Sequence, residues 1–160
     1  MRTSFARLLL LPSALMLLAA CGRDAPAPAT PLATAPAAAS VTTVGDATLQ
    51  VSAIAIANLN DAVATRYGLD RRHDGALLLV TLRDANGNAI PPGDLRLTAT
   101  ATVLPDPPKP LELQPIVVEG MTDYIGVFPA RPPASVQFRV TAVRNGARAE
   151  IATSADLYPR

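Results

Sequence analysis

VQFRVTAVRNGARAEIAT, residues 136–153, reads as a β-hairpin, and this reading sets the class of the fold. Val136, Phe138, Val140 and Ala142 alternate with Gln137, Arg139 and Thr141. That period of two belongs to a strand with one face toward a core and the other toward water. Asn145-Gly146 then supplies two residues that tolerate positive φ, the requirement of a type I′ turn. Ala147–Thr153 returns as the second strand of the pair.

Upstream, LRLTATATV at 95–103 carries the clearest alternation in the chain: Leu95, Leu97, Ala99, Ala101 and Val103 on one side, Arg96, Thr98, Thr100 and Thr102 on the other. It predicts a half-buried antiparallel strand. TLQVSAIAIA at 48–57 places Leu49, Val51, Ala53 and Ala55 on one face, and Ile54 and Ile56 make its second half apolar on both. The continuous apolar run Leu77–Leu82 predicts a central strand. Between these two, Asn58-Leu59-Asn60-Asp61 offers caps for one short helix through Tyr67, with Gly68 as its stop. Asp84–Asn88 is a turn, and Pro105–Pro110 a stiff loop that no central strand could contain. Leu111–Val118 is interrupted by Pro115, so it is an edge strand or two short pieces, and Asp123–Phe128 is a further strand. Together they predict a mainly all-β fold, an antiparallel immunoglobulin-like β-sandwich with one short helix over residues 45–160. Phe128, Phe138, Tyr124 and Tyr67 are the large pieces of a core otherwise rich in alanine.

The amino terminus has a different character. Arg2 and Arg7 precede an apolar run, Leu8–Ala20, that is too short for a bilayer-spanning helix of about 20 residues. It has the form of a signal peptide over residues 1–20. Its end, Leu18-Ala19-Ala20-Cys21, resembles the lipobox of bacterial lipoproteins. The resemblance implies cleavage before Cys21, diacylglycerol on its thiol, and a membrane held through that lipid. Cys21 is the sole cysteine, so no internal disulfide competes for it. Gly22 rather than Asp follows it, which by the enterobacterial sorting rule implies the outer membrane, facing the periplasm. Residues 21–44 then form a disordered tether: Pro, Ala and Thr dominate and no apolar periodicity is present.

Charge narrows the function classes. Loss of residues 1–20 removes two of the 14 basic residues and none of the 13 acidic ones, leaving a net charge near −1. Such a balance gives no electrostatic reason to bind nucleic acid. No Cys-His or paired-His zinc spacing, Gly-rich phosphate loop or Gly-x-Ser-x-Gly elbow occurs, and no cofactor is implied.

His73, the only histidine, stands in Asp70-Arg71-Arg72-His73-Asp74. Asp70, His73 and Asp74 are candidate metal ligands or an acid–base group, with Asp46, Asp61 and Asp84 as the nearest further carboxylates; against this stands a solvated turn with local ion pairs. Tyr67 and Tyr124 are candidate lining for a ligand groove, against a place in the core or at its rim. Two function classes follow. One is a non-catalytic binding or accessory module tethered in the cell envelope, acting on an envelope protein or ligand. The alternative is an envelope hydrolase or metal-dependent enzyme that uses carboxylates with His73.

Val63–Leu69, VATRYGL, followed by Gly75–Val80, GALLLV, resembles a small family of exported gammaproteobacterial proteins, domain-of-unknown-function family 4426. Asp123-Tyr124-Ile125 with Phe128 is similar to that family's aromatic strand. The resemblance spans roughly residues 45–158 and implies a compact β-rich exported domain with no known activity and no site residues to carry over. Ala55-Ile56-Ala57-Asn58 departs from the aromatic and polar cluster that ends the family's first strand.

Overall fold

In the computed structural model, which describes residues 39–160, the hairpin foreseen at Asn145-Gly146 joins β8 (Ala134–Arg144) to β9 (Ala147–Leu157). Both turn residues have positive φ, 48° and 75°, so the turn's twist matches that of the strands it connects. β8 pairs on its other side with β4 (Arg96–Val103), and β4 pairs with the three-residue β5 (Lys109–Leu111). The resulting four-stranded sheet has the order β5-β4-β8-β9. A five-stranded sheet, β1-β2-β3-β7-β6, faces it. It comprises β1 (Ser40–Val44), β2 (Ala47–Ala55), β3 (Ala76–Arg83), β7 (Met121–Phe128) and β6 (Gln114–Val118), all antiparallel to their neighbours. The expected sandwich is therefore present, with β3 as the middle strand of the larger sheet.

Alternation decides the core. Val136, Phe138, Val140 and Ala142 of β8 meet Leu49, Val51 and Ala53 of β2 and Leu78, Val80 and Leu82 of β3, with Ala99 and Ala101 filling the narrow places. Phe138 is 1% exposed and is the largest fully buried side chain. Burial of a side chain of that size stabilises by about 1.5–3 kcal/mol.

Three boundaries differ from those expected. The segment Ser40–Val44, assigned above to the tether, is strand β1. Val44 is 2% exposed, β1 pairs with β2 from Ser40↔Val51 to Val44↔Ala47, and Ser40 Oγ donates to the Ala152 carbonyl of β9 at 3.0 Å. Gly45, taken as the entrance to the domain, is instead a turn residue inside it, with φ 58°. Lys109-Pro110 belongs to β5 rather than to the preceding loop; Pro110 is tolerated because β5 is an edge strand. The last strand runs on past Thr153 to Leu157.

The strand interrupted by Pro115 resolves into two pieces on different sheets, β5 and β6. Leu111 and Leu113, on either side of the crossing, pack where Gly126 of β7 has no side chain. A Cβ at 126 would lie 2.8 Å from Leu111 Cδ2.

Candidate functional site

The short helix α1 (Asp61–Arg66) forms where its caps were expected. Asn60 Oδ1 accepts from the Val63 N–H at 2.8 Å. Asp61 lies in the first turn and Arg66 in the last, each favourable to the helix dipole. At the other end Gly68 takes φ 66°, and the N–H of Leu69 reaches the Ala64 carbonyl at 2.8 Å. Six residues are too few for a helix to persist by propensity alone. Packing holds it: Val63, Ala64, Tyr67 and Leu69 form a second apolar cluster with Ile54, Leu77, Leu79, Ile116 and Ile125 on the outer face of the five-stranded sheet.

Between helix and sheet runs a groove of about 240 Å³. Its floor is Ile54, Leu77 and Leu79, its wall Leu59 and Val63, and its polar rim Ser52, Asn58, Asn60 and Tyr67. The same sheet face carries Asp123. It lies opposite Thr81 of β3 and Ile116 of β6, two residues before Ile125. Asp123 is 5% exposed, and its buried Oδ1 has no hydrogen-bond partner among the described residues. Arg83 Nη1 stands 3.8 Å from that oxygen while donating to the Leu82 carbonyl at 2.8 Å. Burial pushes the Asp123 carboxyl above its ordinary value, with Arg83 and then Arg66 opposing. Burial, and next the charge of Asp123, likewise raise the Tyr67 phenol.

The loop around His73 has a different character. His73 is exposed, and its backbone N–H donates to the Asp70 carbonyl. The Asp70 carboxylate is bound by Arg72, with Nη2 2.7 Å from Oδ2 and Nε 3.1 Å from Oδ1, and that hydrogen bonding holds it far below the usual carboxylate range. Asp74 pairs with Arg160 at 3.6 Å and Asp61 with Arg71 at 2.5 Å. Asp84 is occupied by its own turn, and Asp46 by Arg144 at the other end of β2. Among the described residues no three His, Cys, Asp or Glu side chains converge on a point where a metal ion could sit. The fold thus does not bring Asp70, His73 and Asp74 together with further carboxylates.

Tyr67 lines the groove, but Tyr124 does not. Strand parity turns Tyr124 to the inner face, where it packs against the main core. Cys21 lies outside the described residues. Sequence reasoning missed Asp123. Its one signal was a carboxylate in a strand at the spacing of apolar Met121, Ile125 and Val127, on a face whose cover could not be foreseen.

A larger concavity, about 580 Å³, lies on the outer face of the four-stranded sheet, lined by Thr100, Thr102, Gln137, Arg139 and Ser154 beside Leu104. Its charged members are both paired and exposed: Arg139 with Glu150 at 2.5 Å, side chains 66% and 43% exposed, and Asp106 with Lys109 at 3.3 Å. Hydrogen bonds offered there compete with water and contribute little net free energy. The groove beside α1 combines an apolar floor with a few polar rim groups and is the better candidate.

The family model described as "Domain of unknown function (DUF4426)" matches residues 41–159. Among solved structures, the chain is similar to a DUF4426 family protein from Pseudomonas aeruginosa PAO1, with a TM-score of 0.57 and 19% identity over 76% of this chain and 96% of that one. It is also similar to FetP of uropathogenic E. coli strain F11, a protein expressed recombinantly in the E. coli periplasm. That likeness has a TM-score of 0.51 and 10% identity over 77% of this chain and 95% of the other. At these identities the likeness is one of fold. No curated protein matches the chain.

Proposed function

The chain belongs to the DUF4426 family, a family of unknown function, and from that premise we propose that it is a lipid-anchored periplasmic lipoprotein whose β-sandwich serves as a non-catalytic binding module of the cell envelope. The observation that carries the binding role is the groove beside α1, where an apolar floor of Ile54, Leu77 and Leu79 is rimmed by the polar side chains of Ser52, Asn58, Asn60 and Tyr67. The enzyme alternative needs His73 to act with carboxylates, whereas Asp70, Asp74 and Asp61 are each bound to an arginine. Support for the anchor is the Leu18-Ala19-Ala20-Cys21 motif behind a signal-like segment. Two or three acyl chains there, at about 0.8 kcal/mol per buried CH2, suffice for stable attachment. Gly22 after the cysteine favours the outer membrane.

Each half has its own test. Metabolic labelling with an alkyne palmitate should mark the chain, and Cys21→Ala should lose both the label and membrane fractionation. Label retained in Cys21→Ala would end the anchor claim. For the binding role, a photo-crosslinking amino acid at Asn58, on the groove rim, should give an adduct in intact envelopes. One at Thr100, on the far sheet, should give none. Adducts from Thr100 alone would move the site to the larger concavity.

A further inference from the structure

Two large apolar side chains stand nearly bare at one end of the four-stranded sheet. Leu104 is 71% exposed and Tyr158 70% exposed. Val103 is the register partner of Val136 on β8, and Leu157 is the partner of Ala134 on the same strand. Leu104 and Tyr158 are the next residues, so each leaves its strand at the same end. Tyr158 and Pro132 line a small recess there with Ala55, Asn58 and Gly75, which makes it the end that carries α1. β8 runs between the strands of Leu104 and Tyr158, so two strand spacings, about 10 Å, separate them. A single exposed leucine is ordinary, but a leucine and a tyrosine on one rim make a patch.

The backbone around this patch is poor in donors. Pro105, Pro107 and Pro108 have no N–H, and the Asp106 N–H is bonded to the Val103 carbonyl at 2.9 Å. The neighbouring loop at 129–133 contains Pro129, Pro132 and Pro133. In water a loop gains nothing from lacking donors. In a lipid interface it does, because each N–H that loses its water costs free energy. Charge agrees. Asp106 is paired with Lys109 at 3.3 Å, while Arg131 is exposed and makes no ion pair among the described residues. A free guanidinium beside an apolar rim suits lipid phosphates.

The path of the chain orients this end. β1 begins at Ser40, level with Val51 in the middle of β2, and runs towards the turn at Gly45. It thus enters the sheet travelling away from Leu104 and Tyr158. Seventeen residues lie between Cys21 and Ala39. A linker of that length makes contact between domain and membrane intramolecular, at an effective concentration on the order of millimolar. Two inserted side chains, too few to hold a free domain, then suffice.

Extending the lipid anchor proposed above, on which this rests, we propose that the rim formed by Leu104, Tyr158 and the loops at 104–108 and 129–133 lies in the headgroup layer of the anchoring membrane, with Leu104 and the Tyr158 ring inserted and Arg131 at the phosphates. Tyrosine favours that depth because its ring is apolar and its hydroxyl is not. The groove beside α1, on the outer face of the other sheet, stays open to partners.

The chain has no tryptophan, so one introduced by substitution reports alone. The test uses Leu104→Trp, Tyr158→Trp and, as a control at the opposite end, Val117→Trp, a position 73% exposed. Each full-length chain is purified from membranes and placed in vesicles of phosphatidylethanolamine and phosphatidylglycerol, with or without acyl chains brominated near the headgroup. Leu104→Trp and Tyr158→Trp should move their emission to the blue and lose about half of it to the bromines, and Val117→Trp should do neither. Adding Leu104→Glu to Tyr158→Trp should restore the emission, and quenching that persists would overturn the insertion of Leu104. Equal quenching at all three positions, or none at Leu104→Trp in a chain whose Cys21 carries lipid by mass spectrometry, would overturn the proposal and leave the anchor standing. A blue shift of Leu104→Trp without quenching would put protein rather than lipid on the rim and equally overturn it. A chain without lipid on Cys21 would remove anchor and proposal together.

Discussion

Arg144 and Asp46, 98 residues apart in the chain, form a two-point ion pair, with Nε 2.6 Å from Oδ1 and Nη2 3.3 Å from Oδ2. Arg144 Nη1 also donates to the carbonyls of Pro91 and Pro92. Next to it, Asn145 Nδ2 donates to Asp46 Oδ1 at 2.8 Å, and its backbone N–H donates to Asp94 Oδ2 at 2.9 Å. One buried guanidinium thus ties the β1–β2 turn and the Pro91–Asp94 loop to the β8–β9 hairpin, uniting both sheets at the end of the sandwich away from α1.

Arg144→Ala should accordingly cost about 2 kcal/mol, because it leaves the Pro91 and Pro92 carbonyls without their donor at a side chain only 8% exposed, whereas the Asp46 carboxylate, 57% exposed, is taken up by water. Urea unfolding reads this directly, and a loss below about 1 kcal/mol would make the clamp incidental. The pH dependence has a definite sign. Hydrogen bonding from Arg144 holds the Asp46 carboxyl below its ordinary value of 3.8. The contribution of Asp46 is then fully present above that ordinary value and is lost as pH falls through the lower native one. Asp46→Asn should flatten the acid limb of the stability curve over that window.

Truncation tests the amino-terminal boundary. A chain starting at Gly45 lacks β1 and the buried Val44, and leaves β2 with an open edge. Loss of the valine alone costs about 2 kcal/mol. Its Tm should fall about 5–10 °C below that of a chain starting at Thr34. Equal melting temperatures would show that β1 contributes nothing to the fold.

Asp123→Asn should stabilise the protein at neutral pH. Burial raises the Asp123 carboxyl above its ordinary value of 3.8, so the native state holds this proton more tightly than the unfolded chain. The stability linked to it is present below 3.8 and declines as pH rises through the native value. The gap between variant and wild type should open across that window and persist to pH 7, at about 1 kcal/mol or about 4 °C in Tm. A variant less stable than wild type at pH 7 would mean that the attraction of Arg83 outweighs the burial.

His73 should be silent. His73→Ala should change stability by no more than about 0.5 kcal/mol, as at other exposed positions. Tm should be the same in chelator and in zinc, manganese or calcium. A bound metal at a hundred times its dissociation constant would add about 2.7 kcal/mol. A metal-dependent rise of several degrees that vanishes in His73→Ala would revive the enzyme reading.

Local chemistry made much of this legible. The alternation at 95–103, the Asn145-Gly146 turn and the caps of α1 each depend on residues adjacent in the chain, and each forms where expected. Ser40–Val44 was misassigned because its five residues pair only through a tight turn at Gly45, and the same glycine reads equally as an entrance. For Tyr67 and Tyr124 the residue types were visible but their faces were not. One stands at the end of α1 on the outer layer, the other points inward from β7, and the two are separated by the sheet.

The sequence by itself determined most of the strands, the apolar side of those that alternate, and the turns at Asp84–Asn88 and Asn145-Gly146, because those follow from a period of two and from φ preferences within a few residues. Only the tertiary structure decided that α1 covers the Leu77–Leu79 face, that Asp123 is buried on that face, and that Arg144 finds Asp46 from the far end of the chain. A strand pattern states that a face is apolar or polar, but what lies over it depends on contacts between segments distant in sequence, and no local preference encodes those.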